Sequence, residues 1–381
     1  MWLKSLVVLA LCALLEAKSK DKIKSTNLSL EDYKDKAKDV LSSSTYEYIK
    51  KGSLRKSTEK SNKKAFKDIL IRPHYFVDVS NISTSTNILD KDVIWPVGIG
   101  PTAMHRLAHL DGEVASALAA GAQGSIFVLS SFSTASIEEV AEQAPDTIKW
   151  FQMYIYKNRS INMDFMKRAE KAGYKAIVIT VDAPVHGKTY LKYPDFDLPP
   201  NLSLSNFVGI TDRPSQTVSS SFTIEDLKWI LSSTSLPVIA KGVLTKEGAK
   251  IVRDAGCTGV IVSNHGGRQL DGTPSSIESL PEVVRAVGKD ITVMFDSGIR
   301  GGDDVFKAIA LGAKYVFIGR PVFYGLAVEG QKGVEGVLDT LKQELENVMA
   351  LSGCASLSDV KRDRVVHWKY YQGLLRNGDE L

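Results

Sequence analysis

The 381-residue chain is 44% hydrophobic and 24% charged, which excludes a wholly disordered protein and supplies enough apolar side chains for a large core. Its 48 basic and 44 acidic residues are interspersed, without the concentrated basic face or motif that nucleic-acid binding requires. Three cysteines, Cys12, Cys257 and Cys354, make no disulfide framework; the last two read as small buried hydrophobes.

The first seventeen residues carry Lys4, an apolar run from Ser5 to Leu15 and the small Ala17, the pattern of a cleaved secretory leader. The run is shorter than the ~20 residues a spanning helix needs, so no membrane span is expected once the leader is removed. Residues 18–92 follow as a lysine-rich arm and a helical cap. The cap helix is expected to end near Gly52 in a left-handed stop, presenting Tyr46 and Tyr48.

From about residue 93 to the C-terminus, short β-branched runs alternate with segments of helical period, the signature of βα units. Eight runs occur: 93–100, 125–130, 149–155, 176–182, 237–242, 259–265, 291–296 and 315–319. Eight repeats with no spare strand predict a closed (β/α)8 barrel that forms one domain with the cap. The intervening helices include 112–120, 164–173, 224–231, 246–256 and 303–311. About fifty residues separate the fourth and fifth strands. The stretch from Lys188 to Ser221 is rich in proline and serine, which predicts a long loop lying over the active-site face as a lid.

Barrel enzymes place their chemistry at the C-terminal ends of the strands. Those ends hold a dense polar set: Thr102 and Ala103, Ser130, Gln152 and Tyr154, Thr180 and Asp182, Lys241, His265 and Arg268, Asp296 and Arg300, Gly319 and Arg320. After the last two strands, the 296–302 and 318–321 segments combine glycine amides, Gly298 and Gly319 among them, with Arg300 and Arg320, a phosphate-binding composition. Whether that phosphate belongs to a cofactor or a substrate is left open by these residues. The other histidines, His74, His105, His109, His186 and His367, lack metal-ligand spacing and read as surface or core groups; no metal is expected.

The stretch Ser263–Asn264–His265–Gly266–Gly267–Arg268–Gln269 resembles the signature of the FMN-dependent 2-hydroxy acid dehydrogenase family, in its glycolate-oxidase-like branch. The likeness extends through 101–104, 151–154, 180–182, 241–242, 296–300 and 317–321, and so covers residues 27–370. It implies FMN at the barrel mouth. Thr102 and Ala103 would lie near the reactive ring edge, Ser130, Gln152 and Thr180 at the pyrimidine, and Lys241 near N1. Asp296 would meet the ribityl chain, and Arg300 and Arg320, with the Gly298 and Gly319 backbones, the phosphate. His265 would be the base and Asp182 its partner. Arg268 and Tyr48 would bind the substrate carboxylate, and Tyr154 the oxygen on C2. The resemblance further implies a small 2-hydroxy acid substrate, O2 as electron acceptor and a homotetramer.

One position departs from the family pattern: Thr189 stands where relatives carry an arginine that helps bind the carboxylate. Arg268 is then expected to anchor the acid alone, in an enzyme weak on glycolate or tuned to a larger acid. An inosine-monophosphate-dehydrogenase-like barrel would need a cysteine nucleophile after strand six, where Ser263–Asn264–His265 stands. An FMN-binding barrel that has lost turnover remains the alternative. Four sequons, at Asn27, Asn81, Asn158 and Asn201, and the C-terminal Asp379–Glu380–Leu381 point to the ER lumen or to secretion.

Overall fold

The computed structural model describes residues 28–190, 198–209 and 217–376. The leader, the Asn27 sequon and the C-terminal Asp379–Glu380–Leu381 lie outside the described residues.

Eight parallel strands close into a barrel: β4 (Val97–Thr102), β5 (Ile126–Ser130), β6 (Ile148–Met153), β7 (Ile177–Thr180), β8 (Val238–Val243), β9 (Gly259–Val262), β10 (Thr292–Asp296) and β11 (Tyr315–Ile318). They pair in chain order, and β11 returns to β4 with Val316 opposite Val97. The strands are buried on both faces, which is why they read as apolar runs and not as alternations. Inside the barrel, Val128, Trp150, Val178, Ile239, Ile261, Met294 and Phe317 form one apolar cluster. A short antiparallel hairpin, β2 (Thr86–Ile88) with β3 (Lys91–Val93), adds Ile88 and Val93 to it.

Several strand boundaries differ from the sequence reading. Val93 belongs to the hairpin, and β6, β7 and β9 stop before Tyr154, Asp182 and His265. These three groups therefore stand on the loops just beyond the strands, free of ladder geometry.

The helical segments fall where helical periodicity places them: α4 (Gly112–Ala122), α6 (Arg159–Lys171), α7 (Ile224–Ser232), α8 (Lys246–Ala255) and α10 (Gly302–Ala310). The structure adds α5 (Ile137–Gln143), only seven residues long, and α9 (Ser276–Val287), whose Pro281 disguises it. The long helix α11 (Arg320–Leu351) begins at Arg320 and kinks at Glu329 and Gly330, and a short helix, α12 (Lys369–Arg376), follows it.

The cap consists of α1 (Leu30–Val40), α2 (Ser43–Lys50) and α3 (Ser57–Lys67). Leu30, Tyr33 and Ala37 are buried on α1, so its lysines occupy the opposite, solvated face. α2 ends at Lys51 in extended backbone, not at Gly52. Gly52 is instead a close-approach glycine, since a Cβ there would come within 3.1 Å of Glu59 Cβ. The left-handed positions are Leu54 and Lys56.

The cap is integrated with the barrel. β1 (Ile69–Ile71) pairs with β12 (Val365–His367) near the chain's end, and the buried Asn62 and Asn264 amides bond each other reciprocally at 2.8 and 2.7 Å. Cys257 and Cys354 are buried and free; burial pushes the Cys257 thiol up to about 12. No helix among the described residues is long and apolar enough to cross a membrane.

Candidate active site

The C-terminal ends of the strands open into a cavity of about 840 Å³, within the range of roughly 300–1,000 Å³ usual for cofactor and ligand sites. Every residue that the sequence marks for the site lines it except Asp182, which lies behind His265. His186, Gly187, Thr189, Leu198 and Leu204 also line it, so the described parts of the long loop do reach the site. That placement of His186 has no counterpart in its sequence spacing.

One side of the cavity carries a relay of side chains on adjacent strands. Ser130 Oγ donates to Gln152 Oε1 at 3.0 Å, and Gln152 Nε2 donates to Thr180 Oγ1 at 2.9 Å. Lys241 on β8 donates to Ser263 Oγ and lies 3.2 Å from Asp296 Oδ2. These strands are in register, with Thr180 opposite Lys241, so the ladder itself sets the spacing of the polar groups. Thr102 bonds the ring of the fully buried His105 at 2.7 Å, and His105 in turn bonds Ser116 at 2.9 Å.

The end of the cavity expected to hold phosphate is built on the loops leading into α10 and α11. Arg320 donates to the carbonyls of Ile49, Lys51 and Gly266, which ties α2 to the barrel. Burial, together with the charges of Arg268 and Arg300, pulls Arg320 down to about 10. The Arg300 amide donates to Asp304 Oδ2 at 2.8 Å, but neither the Arg300 nor the Arg320 guanidinium has an ion pair among the described residues, a costly arrangement that an anionic group would relieve. Gly298 has φ +96°, and a Cβ there would lie 2.3 Å from the Asn62 carbonyl oxygen. Its glycine is thus required by contact with α3, a reason distinct from the approach of phosphate.

His265 stands at φ +59°, a left-handed conformation that costs a non-glycine residue on the order of 1–2 kcal/mol. Its amide donates to Ser263 Oγ at 3.0 Å, and the Gly266 and Gly267 amides are taken by Ser297 Oγ and Asn264 Oδ1, which fixes the strained turn. The turn brings His265 Nδ1 to 3.1 Å from Asp182 Oδ1. Burial opposes the Asp182 charge, but the facing His265 and nearby Lys241 outweigh it and hold the carboxyl below the ordinary value. Asp182 Oδ2 is buried with no partner among the described residues. Gln269 holds the 182–187 segment in place, donating to the Asp182 and Val185 carbonyls and accepting from the Gly187 amide.

Arg268 donates to the Tyr48 and Ile49 carbonyls at 3.2 Å and lies 5.3 Å from the Tyr48 ring centroid. Burial raises the phenols of Tyr48 and Tyr154, so both remain hydrogen-bond donors at neutral pH. Phe132 stacks on Tyr154 at 5.0 Å. Among the described residues no cluster of His, Cys, Asp or Glu could hold a metal ion.

An imidazole held by a carboxylate, a guanidinium flanked by two phenols and two arginines without an ion pair among the described residues thus share one cavity at a barrel mouth. The sequence profile of the FMN-dependent dehydrogenases matches residues 37–367. The chain belongs to that family. Among its relatives, glycolate oxidase 3 of Oryza sativa subsp. indica is 45% identical over 355 residues, covering 90% of this chain and 96% of the relative. The 2-hydroxyacid oxidase 1 of Mus musculus is 41% identical over 353 residues, covering 88% and 95%. Solved structures that resemble it include a soluble mutant of the membrane-associated (S)-mandelate dehydrogenase from Pseudomonas putida, with TM-score 0.85, 36% identity and coverage of 89% and 99%. Mandelate oxidase with benzoyl-formic acid has TM-score 0.82, 36% identity and coverage of 89% and 97%.

FMN is the family's cofactor, and the cavity fits it. The arginine pair suits a phosphate, the Ser130–Gln152–Thr180 relay suits a heterocycle edge with donors and acceptors, and Lys241 places positive charge beside it. Sequence reasoning passed over Lys51, Phe132, Gln269 and the Asn62–Asn264 pair. Gln269 lay within the quoted signature, but Lys51 carried no signal that set it apart from its lysine neighbours.

Proposed function

We propose that this enzyme oxidises a 2-hydroxy acid to the 2-oxo acid, with O2 as the final acceptor and H2O2 as the second product. The observation that carries this reading is the His265–Asp182 pair facing the same cavity as Arg268, Tyr48 and Tyr154. Bound FMN supplies the two-electron acceptor. Arg268 and Tyr48 would hold the substrate carboxylate, and Tyr154 would donate to the oxygen on C2. His265 would take one of the two protons lost in oxidation and become cationic, and Asp182 would stabilise that charge and orient the ring. The strained turn fixes the base before substrate arrives, which limits the reorganisation needed in the reaction.

Phe132, Ala183, Leu198 and Leu204 give the cavity an apolar wall, and Thr189 offers a hydroxyl where the family resemblance implies an arginine. These features favour an acid with an apolar side chain over glycolate. The test is oxygen uptake with peroxide measurement on glycolate, lactate and longer 2-hydroxy acids, on the native enzyme and on Thr189→Arg. Preferred turnover of glycolate, unchanged by Thr189→Arg, would overturn the substrate preference. Turnover without peroxide would overturn O2 as acceptor.

The leader, the sequons and the terminal Asp379–Glu380–Leu381 support entry into the secretory pathway. Asn81, Asn158 and Asn201 are all exposed, as glycan acceptors must be.

A further inference from the structure

The cavity holds more positive charge than the functional reading uses. Its lining carboxylate, Asp296, faces Lys241, and Asp182 faces His265. That leaves Arg300, Arg320, Arg268 and Lys51 lining the cavity without an ion pair among the described residues. Arg300 and Arg320 match the phosphate. Arg268 and Lys51 share a different feature, the Tyr48 ring: the Arg268 guanidinium carbon lies 5.3 Å from its centroid and the Lys51 ammonium 4.4 Å.

Lys51 is fixed at its backbone. It caps α2 at the C-terminus, and its carbonyl accepts from Arg320 Nη2 at 2.8 Å, so the side chain starts from a locked position at the cavity wall. Burial and the neighbouring Arg268 charge pull its ammonium down to about 7. A desolvated ammonium beside a guanidinium is unfavourable until an anion arrives between them, and an anion bound there is held by both. Thr189, on the loop that lines the same cavity, can offer only a hydroxyl.

We propose that Lys51 is a substrate-binding and specificity-determining residue that supplies the second positive charge, beside Arg268, for the carboxylate of the acid. The inference rests on the oxidase reading for the identity of that carboxylate, but its binding test does not. Arg268, held by the Tyr48 and Ile49 carbonyls, fixes the direction of the carboxylate, and Lys51, with its flexible stem, closes on it as a point charge. The site therefore prefers anionic acids over their neutral amides through two cations and not one.

The test uses the FMN-loaded enzyme and compares native protein with Lys51→Met, Lys51→Gln and Lys51→Arg. A 2-oxo acid is titrated into the oxidised enzyme and its binding followed by the flavin absorbance change, which needs no turnover. The neutral amide of the same acid is titrated in parallel, and anaerobic flavin reduction by the 2-hydroxy acid gives its Kd and limiting rate. Loss of a charge-assisted contact predicts Kd values raised roughly 10- to 100-fold for both acids in the Met and Gln variants. Amide affinity and FMN content should be unchanged, and the Arg variant should recover most of the acid affinity. Unchanged acid affinity in the Met and Gln variants, equal weakening of acid and amide, or a loss confined to FMN retention would each overturn the proposal. A native enzyme that binds the 2-oxo acid but is not reduced by any 2-hydroxy acid would overturn the oxidase reading instead, while the 2-oxo acid titrations still decide the role of Lys51.

Discussion

Replacing Asp182 by Asn removes the charge facing His265 while keeping a carbonyl oxygen that can accept from Nδ1. The two groups lie 3.1 Å apart, and each side chain is mostly shielded from solvent. At an effective dielectric near 20, unit charges at that separation attract by about 5 kcal/mol, whereas a charged hydrogen bond nets about 1.5–3 kcal/mol. A loss of about 2–4 kcal/mol is therefore expected, or roughly 30- to 1,000-fold in rate. The loss falls on the step in which His265 becomes cationic, because a carboxylate attracts an imidazolium far more strongly than an uncharged ring. Anaerobic stopped-flow reduction of the bound flavin separates the two contributions: the limiting rate should fall by that factor while the substrate Kd changes less than about threefold. A limiting rate within twofold of native would refute the assigned role of Asp182, as would a loss expressed wholly in Kd.

Arg320→Ala should weaken FMN retention by at least roughly tenfold, measured by flavin fluorescence on dilution, because it removes a phosphate cation and also frees three carbonyls at the α2 junction; full retention would exclude the assigned phosphate site. Gly298→Ala should cost roughly 2–4 kcal/mol in chemical denaturation, because φ is +96° and the new Cβ would meet the Asn62 carbonyl; unchanged stability would show that the turn can relax. Protein expressed through a secretory pathway should gain mobility on a gel after glycosidase treatment, through at least one of the exposed Asn81, Asn158 and Asn201; no shift would remove the support that the sequons lend to this localisation.

The barrel was legible because its strands are buried on both faces. Such strands read as uninterrupted β-branched runs, and the helices between them keep a 3.6-residue period. The site was legible through the same geometry, since one rule about strand ends collects Gln152, Thr180, Lys241 and Asp296. Hidden features depend on contacts that span the chain. The Asn62–Asn264 pair joins residues 202 apart, and neither amide is distinctive in its own segment. α9 was masked by Pro281, and the left-handed stop anticipated at Gly52 yields to positive φ at Leu54 and Lys56. Lys51 sits among many lysines, and only the end of α2 and its tie to Arg320 turn it toward the cavity while its neighbours face water.

The proposed reaction needs His265 as base and FMN in the cavity to act together on a 2-hydroxy acid. Its most direct test is the absorbance spectrum of the purified, FMN-loaded protein, taken without oxygen before and after a panel of 2-hydroxy acids is added. At least one acid should bleach the flavin in the native protein, air should restore the colour with release of peroxide, and His265→Ala should keep its FMN but be reduced on the order of 100-fold more slowly or worse. A native protein that stays yellow with every acid in the panel, or a His265→Ala variant bleached at the native rate, would contradict it.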